Sequence, residues 1–490
     1  MKKLKTQNTR KKMAMFAGAT ALMALTPQLQ AQTSVDALLN KLEQKGILTV
    51  DEAKELKTEN QQDSAADLNK AMNSRFQMPD WVTGYKIFGD FRGRFDEQTT
   101  SSSGNPATGL NAEDQIRLRY RLRVGLMVNM KDDFQVGFSL GSDNSSGNDL
   151  SNNTTLENNG TKKPVWIDTA FGKWTPLNND AWMLAATIGK MVQPFQATPM
   201  EFDPDYTPEG AALQSTYKIN DNHSIGLNTA AFVLDNASST VSGANGAGST
   251  KDPWLYGGQV LWNATWTPRL ASSMGFAAYN IVNKDGLGLP TGGTTGIANN
   301  PANYNPGGVA NNNQGNTRNG TTGNLQYWYN PIVASASFTY TLDSFPLYKG
   351  KFPIKPAGEY MYNPGAPSQN EGYWVGAMFG KAGKKGMWDI SYRYQYLEAD
   401  AWYDELVDDD NVAFYTNGGA GFPTQPKTGW VGGTNIKGHL VKCNYSLTDA
   451  LTFTVTAYIN QLINPNQNIG PTGEPNSNAM HVMADLMWKF

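Results

Sequence analysis

One stretch, Gln115–Met130, constrains the fold of this chain more than any other. Its apolar residues Ile116, Leu118, Tyr120, Leu122, Val124, Leu126 and Val128 occupy alternate positions, and Arg117, Arg119, Arg121 and Arg123 occupy positions between them. A repeat of two residues predicts a β-strand with one apolar face and one charged face. In a soluble protein the apolar face would meet a core. In a membrane barrel it would meet lipid, and the arginines would face a water-filled lumen.

The first 31 residues have the pattern of a secretory signal peptide. Six basic residues and no acid precede the apolar run from Met13 to Leu25, which is short for a bilayer-spanning helix of about 20 residues. We therefore expect export, with a mature chain that begins near Gln32. Removal of this segment leaves 34 Lys and Arg against 43 Asp and Glu, so the formal charge falls from −3 to −9. A chain this acidic is not expected to bind nucleic acid.

Few residues are available for catalysis or metal binding. The chain has one cysteine, Cys443, which excludes an intrachain disulfide, and three histidines, His223, His439 and His481. No nucleophile motif surrounds these histidines. We therefore expect no enzymatic activity, no cofactor and no dedicated metal site.

A short helical segment follows the signal peptide. Ser34 can cap a helix whose apolar face includes Leu38 and Leu42, and Thr49 with Glu52 forms a capping box for a second helix. We interpret residues 32–58 as a periplasmic helical hairpin, with a frayed amphipathic tail as the alternative, and residues 59–82 as a polar linker.

Residues 83–490 alternate between β-patterned segments and polar interruptions. Seven interruptions are short, near 130–133, 176–180, 220–222, 268–270, 343–351, 383–386 and 446–450. Eight are long, near 98–112, 142–163, 192–209, 236–254, 283–324, 363–371, 399–433 and 464–478. This alternation requires sixteen strands with both chain ends on the short-turn side. The sequence predicts an all-β fold, a 16-stranded antiparallel transmembrane β-barrel.

The segment from Met480 to Phe490 supports a closed barrel. Val482, Ala484, Leu486, Trp488 and Phe490 share one face of this predicted strand. An apolar face of this kind suits a strand that meets lipid and pairs with the first strand, since closure leaves no unpaired edge.

These segments resemble a known family. The hairpin LLNKLEQKGILTVDEAKEL, the strands GDFRGRF and RLRYRLRVGL, the segment GKMVQPF followed by FDPDYTPEGAAL, and the late GGTNIKGHLVKCNYSLTDALTFTVTAYIN together look like bacterial outer-membrane putative porins. A more distant similarity is to phosphate-selective porins. The resemblance implies a passive diffusion channel in outer-membrane lipid and commonly a homotrimer. It also implies that Phe490 is read by the outer-membrane assembly machinery. The loops at 283–324 and 399–433 depart from the pattern, so selectivity is not carried over.

The third long loop is a candidate constriction. It carries Glu201, Asp203, Asp205 and Glu209 among four prolines, which would stiffen it by fixing φ. If this loop folds inward, its acids would face the arginines across the pore and set up a transverse field that favours polar solutes. The alternative is that these acids only solvate a surface loop.

A basic pore lining is expected from the inward faces of several strands. Its predicted members are Arg92, Arg94, Arg117, Arg119, Arg121, Arg123, Lys218, Arg393 and Lys442. A basic lumen favours anions. Two alternatives remain open: the arginines pair with Asp90, Asp96 or Asp485 as internal struts, or the acids of residues 400–410 repel anions at the mouth. The 400–410 acids could also bind calcium, although their spacing is not that of an EF-hand.

The residues therefore favour a porin that passes small hydrophilic solutes and ions. The competing function is a structural or adhesive outer-membrane barrel. Its long loops would bind glycans through Trp402, Tyr403, Trp430, Tyr327 and Trp328.

Overall fold

The computed structural model describes residues 79–100, 114–143, 150–235, 252–284, 314–318, 325–415, 429–464 and 478–490. Within these ranges no helix is long and apolar enough to cross a bilayer. The helical turns described there are the single 3-10 turns Lys131–Asp133 and Asn158–Gly160. The signal peptide, the helical hairpin and nearly all of the linker fall outside the described residues.

Sixteen long strands make up one sheet. They are β1 (Val82–Thr100), β2 (Gln115–Met130), β3 (Phe134–Ser142), β5 (Val165–Asn178), β6 (Trp182–Lys190), β7 (Glu209–Asn220), β8 (His223–Val233), β9 (Trp254–Thr267), β10 (Leu270–Val282), β11 (Ile332–Leu342), β12 (Phe352–Tyr362), β13 (Glu371–Gly380), β14 (Trp388–Leu397), β17 (Ile436–Ser446), β18 (Leu451–Leu462) and β19 (Ala479–Lys489). The two-residue strand β4 (Thr154–Thr155) joins the same sheet beside β2. A separate hairpin pairs β15 (Val412–Tyr415) with β16 (Gly429–Gly432).

The sheet closes on itself. Each long strand pairs antiparallel with the next along the chain, and β1 also pairs with β19 from Asp90 opposite Lys489 to Thr100 opposite Ala479. Gly89 and Phe490 exchange two backbone hydrogen bonds at this seam. Closure satisfies the backbone groups that an open sheet would leave unpaired in lipid. The predicted 16-stranded antiparallel barrel is confirmed.

The two faces of β2 divide as the alternation predicts. Ile116, Leu118 and Leu122 are exposed on the outer surface, whereas Arg119 and Arg121 are buried inside the barrel. The apolar side chains therefore face lipid and the arginines face the lumen, which resolves the ambiguity of this strand.

Aromatic side chains gather near the short-turn end of the barrel. The ring centroids of Trp182 and Tyr217 lie 4.4 Å apart, and those of Phe345 and Phe352 lie 4.0 Å apart. Amphipathic rings at this level are typical of the girdles at a membrane interface.

The barrel encloses an apolar core built from loops and wall together. Residues of the loop between β6 and β7, including Phe195, Met200 and Phe202, pack with Trp402 and Leu406 from the loop between β14 and β15. Inward side chains of β8, β9 and β10 join the cluster, with single residues from β7, β11, β12 and β14. The lumen is therefore partly filled by a folded internal layer.

The chain divides into two units, Met1–Gly84 and Tyr85–Phe490. The second unit contains the internal layer and the whole sheet except Val82–Gly84, the first three residues of β1. All of the candidate site residues lie within it.

Candidate functional site

The arginines of β2 are held by acids from the neighbouring wall. Asp96 of β1 accepts hydrogen bonds from Arg117 at 3.1 Å and from Arg119 at 3.4 Å. Its carboxylate also lies 3.2 Å from the Nε2 atom of His481. Asp90 in the same way holds Arg121 at 3.0 Å and Arg123 at 2.7 Å. The strut interpretation thus describes most of this ladder.

Arg94 of β1 is doubly paired. Its guanidinium donates to Asp485 at 2.8 and 3.0 Å and to Asp410 at 3.0 and 3.3 Å. Arg92 donates to the amide oxygen of Asn153 at 2.5 Å and lies 3.9 Å from Asp485. The charge of Arg94 is thereby neutralised more completely than that of Arg92.

The loop between β6 and β7, residues 191–208, turns into the barrel at a pair of facing glycines. Gly189 and Gly210 pair across the sheet with φ of 110° and 153°. A Cβ at Gly189 would lie 2.4 Å from the carbonyl oxygen of Ala170, and one at Gly210 would lie 2.1 Å from that of Ala231. Only glycine fits this close approach, so the two residues fix where the inner loop leaves the wall.

Side chains of the wall tether the inner loop. Thr198 donates to Glu359 of β12 at 2.7 Å, and Tyr279 of β10 donates to Glu201 at 2.8 Å. Gln259 of β9 donates to the backbone oxygen of Gln196 at 3.0 Å. Three wall strands therefore hold the loop across the lumen.

The four acids predicted for this loop have different positions. Asp205 alone reaches the arginines, at 2.9 Å from Arg121 and 3.8 Å from Arg123. Glu201 and Asp203 are buried at 1% and 4% exposure, and Glu209 begins β7, where it pairs with Lys190 on the outer face. From the loop side, Asp205 thus contacts the ladder of β2, and Asp410 of another loop contacts Arg94 of β1.

That second loop follows β14 and also folds inward. Asp400, Asp404 and Asp408 are buried, so the acids expected at the mouth lie inside the barrel instead. Asp400 accepts hydrogen bonds from Thr317 and Tyr329. Asp404 accepts one from Arg318, which is itself fully buried. The sequence gives only a weak signal for this docking, namely aromatic residues interleaved with the acids at 402–407.

The two inner loops contact each other directly. The backbone N–H of Asp409 donates to Asp203 at 3.0 Å, and that of Asp203 donates to the carbonyl oxygen of Leu406 at 2.6 Å. The indole of Trp402 donates to the carbonyl oxygen of Glu201. The loops therefore form one internal layer.

Burial and mutual repulsion shift the titration of the loop acids. Burial, followed by repulsion from Asp410, raises the pKa of Asp408 to about 6. The Asp409 side chain faces the cavity but lies deep inside the barrel. Burial there and repulsion from Asp410 and Asp408 raise the pKa of Asp409 to about 7. Burial and the charges of Asp409 and Asp408 also raise the pKa of Asp203. The negative charge of this layer therefore depends on pH near neutrality.

A cavity of about 450 Å³ separates the internal layer from the wall. Arg92, Arg94 and Arg121 line one side, and Lys355, Arg393 and Lys442 line another. Asp203, Asp205, Asp408, Asp409, Asp410 and Asp485 supply the negative charges at its boundary. The boundary of the cavity therefore combines cationic side chains of the wall with carboxyl groups of the two loops and of Asp485 on β19.

The remaining predicted lining residue, Lys218, lies in a second cavity of about 360 Å³ near the short turns. Lys355 lines both cavities. Lys355 therefore borders both the cavity beside the internal layer and the cavity near the short turns.

One acidic cluster has the spacing of a cation site. Oxygens of Asp203, Asp408 and Asp409 lie within 4.8 Å of one another. Both oxygens of Asp203 already accept backbone N–H groups, from Asp205 and Asp409. The bond from Asp409 joins the two loops, and the bond from Asp205 stays within one loop.

Two of the aromatic residues expected to bind glycans are unavailable. Trp402 and Tyr403 are fully buried within the internal layer, whereas Trp328 is 53% exposed beside Lys284. The glycan interpretation is therefore wrong for Trp402 and Tyr403, because the apolar core of the lumen takes up their rings.

The three histidines occupy dissimilar surroundings. His223 stacks on Trp262, His439 hydrogen-bonds to Tyr392, and His481 contacts Asp96. In the part of the chain that the structure describes, no serine, threonine or cysteine side chain hydrogen-bonds to any of them.

Comparison with known proteins gives one family match. Residues 96–328 match the family described as "Putative porin", which confirms the resemblance stated from the sequence. The comparison with curated proteins found no match.

Solved structures similar to this chain include three with 7–11% sequence identity. The high-pH structure of OprB from Pseudomonas putida is 11% identical, covers 83% of this chain and 94% of its own, and has a TM-score of 0.49. The outer-membrane channel DcaP of Acinetobacter baumannii is 10% identical over 83% of this chain and 97% of its own, with a TM-score of 0.38. A mutant of the Rhodopseudomonas blastica porin is 7% identical over 83% of this chain and 100% of its own, with a TM-score of 0.36.

Proposed function

We propose that this chain, whose residues 96–328 match the "Putative porin" family, is an outer-membrane channel. It passes small hydrophilic solutes and ions by passive diffusion through a charged constriction. The observation that carries the proposal is the cavity of about 450 Å³ inside a closed barrel, bounded by wall cations and loop acids. A polar, charged passage of this kind suits hydrated solutes and disfavours apolar ones.

The basic residues predicted to line the pore have two different roles in this proposal. Arg117, Arg119, Arg121 and Arg123 hold the constriction in shape through Asp90 and Asp96, and Asp205 closes it from the loop side. Arg92, Arg393 and Lys442 face the cavity and contribute to its field. Passing ions meet a basic wall on one side and an acidic layer on the other.

Conductance in planar bilayers tests this function. Purified protein inserted into a lipid membrane in potassium chloride is expected to give discrete, ohmic current steps, because a fixed aqueous path needs no energy input. Heat-denatured protein in the same detergent serves as the control. Membranes that stay silent despite correctly folded, inserted barrels would refute the channel.

The proposed assembly is a homotrimer in outer-membrane lipid, with Phe490 read by the assembly machinery. The family resemblance supports both statements. Export by an N-terminal signal peptide and a helical hairpin in the periplasm complete the proposal.

The pKa shifts of the loop acids predict pH-dependent selectivity. Asp408 and Asp409 have pKa values of about 6 and about 7, so both are ionised at pH 8 and protonated at pH 5. Lowering the pH therefore removes about two negative charges from the cavity. The reversal potential in a salt gradient is expected to shift toward anion preference between pH 8 and pH 5.

A variant with asparagine in place of both aspartates is the matched control for this pH effect. The doubly substituted protein, Asp408→Asn with Asp409→Asn, should show the anion preference of pH 5 at both pH values. If its reversal potential keeps the pH dependence of the natural chain, then other groups control selectivity.

A further inference from the structure

The cations around the main cavity differ in how they are paired. Arg94 and Arg121 each contact two carboxylates, so their charges are already compensated. Lys355, Arg393 and Lys442 form no ion pair or side-chain hydrogen bond with any residue the structure describes. The Nε atom of Arg393 is buried without a hydrogen-bond partner. The guanidinium group of Arg393 interacts electrostatically with Asp408 and Glu359 but forms no ion pair or hydrogen bond with either.

The three cations that form no ion pair share one patch of wall. Lys355 of β12 lies opposite Met378, Met378 lies opposite Ser391, and Ser391 lies opposite Lys442. Strands about 4.8 Å apart place the Cα atoms of Lys355 and Lys442 roughly 14 Å from each other. Arg393 lies two residues along β14 from Ser391, on the same face. Three long side chains thus converge on one space small enough for a single solute to span.

Apolar side chains also line this cavity. Trp374, Met378, Leu440 and Met483 line the cavity, together with Ala357 and Ala377. A fully hydrated inorganic anion gains nothing from these surfaces, whereas an anion with a hydrocarbon body can bury that body against them. The cations that form no ion pair would then hold its charged group by charge-assisted hydrogen bonds.

We propose that the wall formed by Lys355, Arg393 and Lys442 is a binding site for small organic carboxylates with an apolar body. The role of this site in transport rests on the proposed channel function, whereas binding to the site does not depend on that function. The solute pauses at this wall, across the cavity from the paired arginines of β1 and β2.

Equilibrium binding to the folded protein in detergent tests the site directly. Titration calorimetry at pH 7 with benzoate, acetate and phosphate as probes should rank benzoate as the tightest. Arg393→Gln is expected to weaken benzoate binding about tenfold, as one lost charge-assisted hydrogen bond implies. Trp374→Ala should weaken benzoate binding but leave acetate binding unchanged.

Lys437→Gln provides the matched control, because Lys437 lies on the opposite face of β17 from Lys442. It should bind benzoate as the natural protein does. Equal binding of phosphate and benzoate would overturn the organic part of the proposal. Benzoate binding that is unaffected by Arg393→Gln would overturn the site.

Current block separates this inference from the channel function. In bilayers, benzoate should interrupt the current at lower concentration than acetate, and the Arg393→Gln protein should need about tenfold more. A protein that conducts but binds no benzoate would refute only the site. A protein that binds benzoate through Arg393 but never conducts would refute only the channel.

Discussion

Replacing Trp402 with alanine is expected to open the lumen and raise the single-channel conductance severalfold. The indole is fully buried, packs edge to face on Phe202 and lies against Tyr279, and donates to the carbonyl oxygen of Glu201. Truncating a buried tryptophan costs about 3–5 kcal/mol. That loss falls on the contact between the two inner loops, because the indole packs on Phe202 and hydrogen-bonds to Glu201 of the other loop.

The barrel itself should survive this change, because its closure depends on backbone pairing around the wall. Trp328→Ala is the matched control, since Trp328 is half exposed and lies outside the apolar core. Single-channel recording gives the conductance, and limited proteolysis shows whether residues 399–411 become accessible. A Trp402→Ala protein with unaltered conductance and unaltered cleavage would show that the internal layer does not obstruct the pore.

Replacing Asp96 with alanine is expected to destabilise the barrel wall. Asp96 is completely buried and serves Arg117, Arg119 and His481 at once. Its removal strands two guanidinium groups in a confined space, and breaking a buried ion pair in this way costs about 3–5 kcal/mol. The urea midpoint for unfolding in detergent, followed by tryptophan fluorescence, should fall well below that of the natural chain.

Asp343→Ala tests whether the effect depends on burial. Asp343 pairs with Arg269, but both side chains are exposed in the turns, so this pair contributes little. An equal loss of stability in the two variants would mean that ionic contacts in general, and not the buried network around Asp96, hold the wall.

The wall of the barrel could be predicted from the sequence because its signal is local. Alternation in Gln115–Met130 specifies both faces of β2, and the spacing of turns specifies the number of strands. The same alternation places Arg117, Arg119, Arg121 and Arg123 on the luminal face, and it places Asp90 and Asp96 on the luminal face of β1, where they are candidate partners. Period-two patterns carry this information within a few residues.

The internal layer could not be predicted in the same way. Glu201 and Trp402 are 201 residues apart along the chain, and nothing near either residue indicates the other. The acids at 400–410 have the composition of a solvated loop, but hydrogen bonds from Thr317, Arg318 and Tyr329 allow their burial. Composition therefore predicts a solvated surface loop, whereas tertiary hydrogen bonds allow these acids to be buried inside the barrel.

The internal layer also has a consequence for the order of folding. Its apolar core joins the loop after β6 to the loop after β14 and to the inward faces of β8, β9 and β10, so the core can form only once those strands surround it. Contacts of such long sequence separation form late and slowly. A newly closed barrel would therefore pass through a transient leaky state, in which the bilayer is breached before the loops have docked.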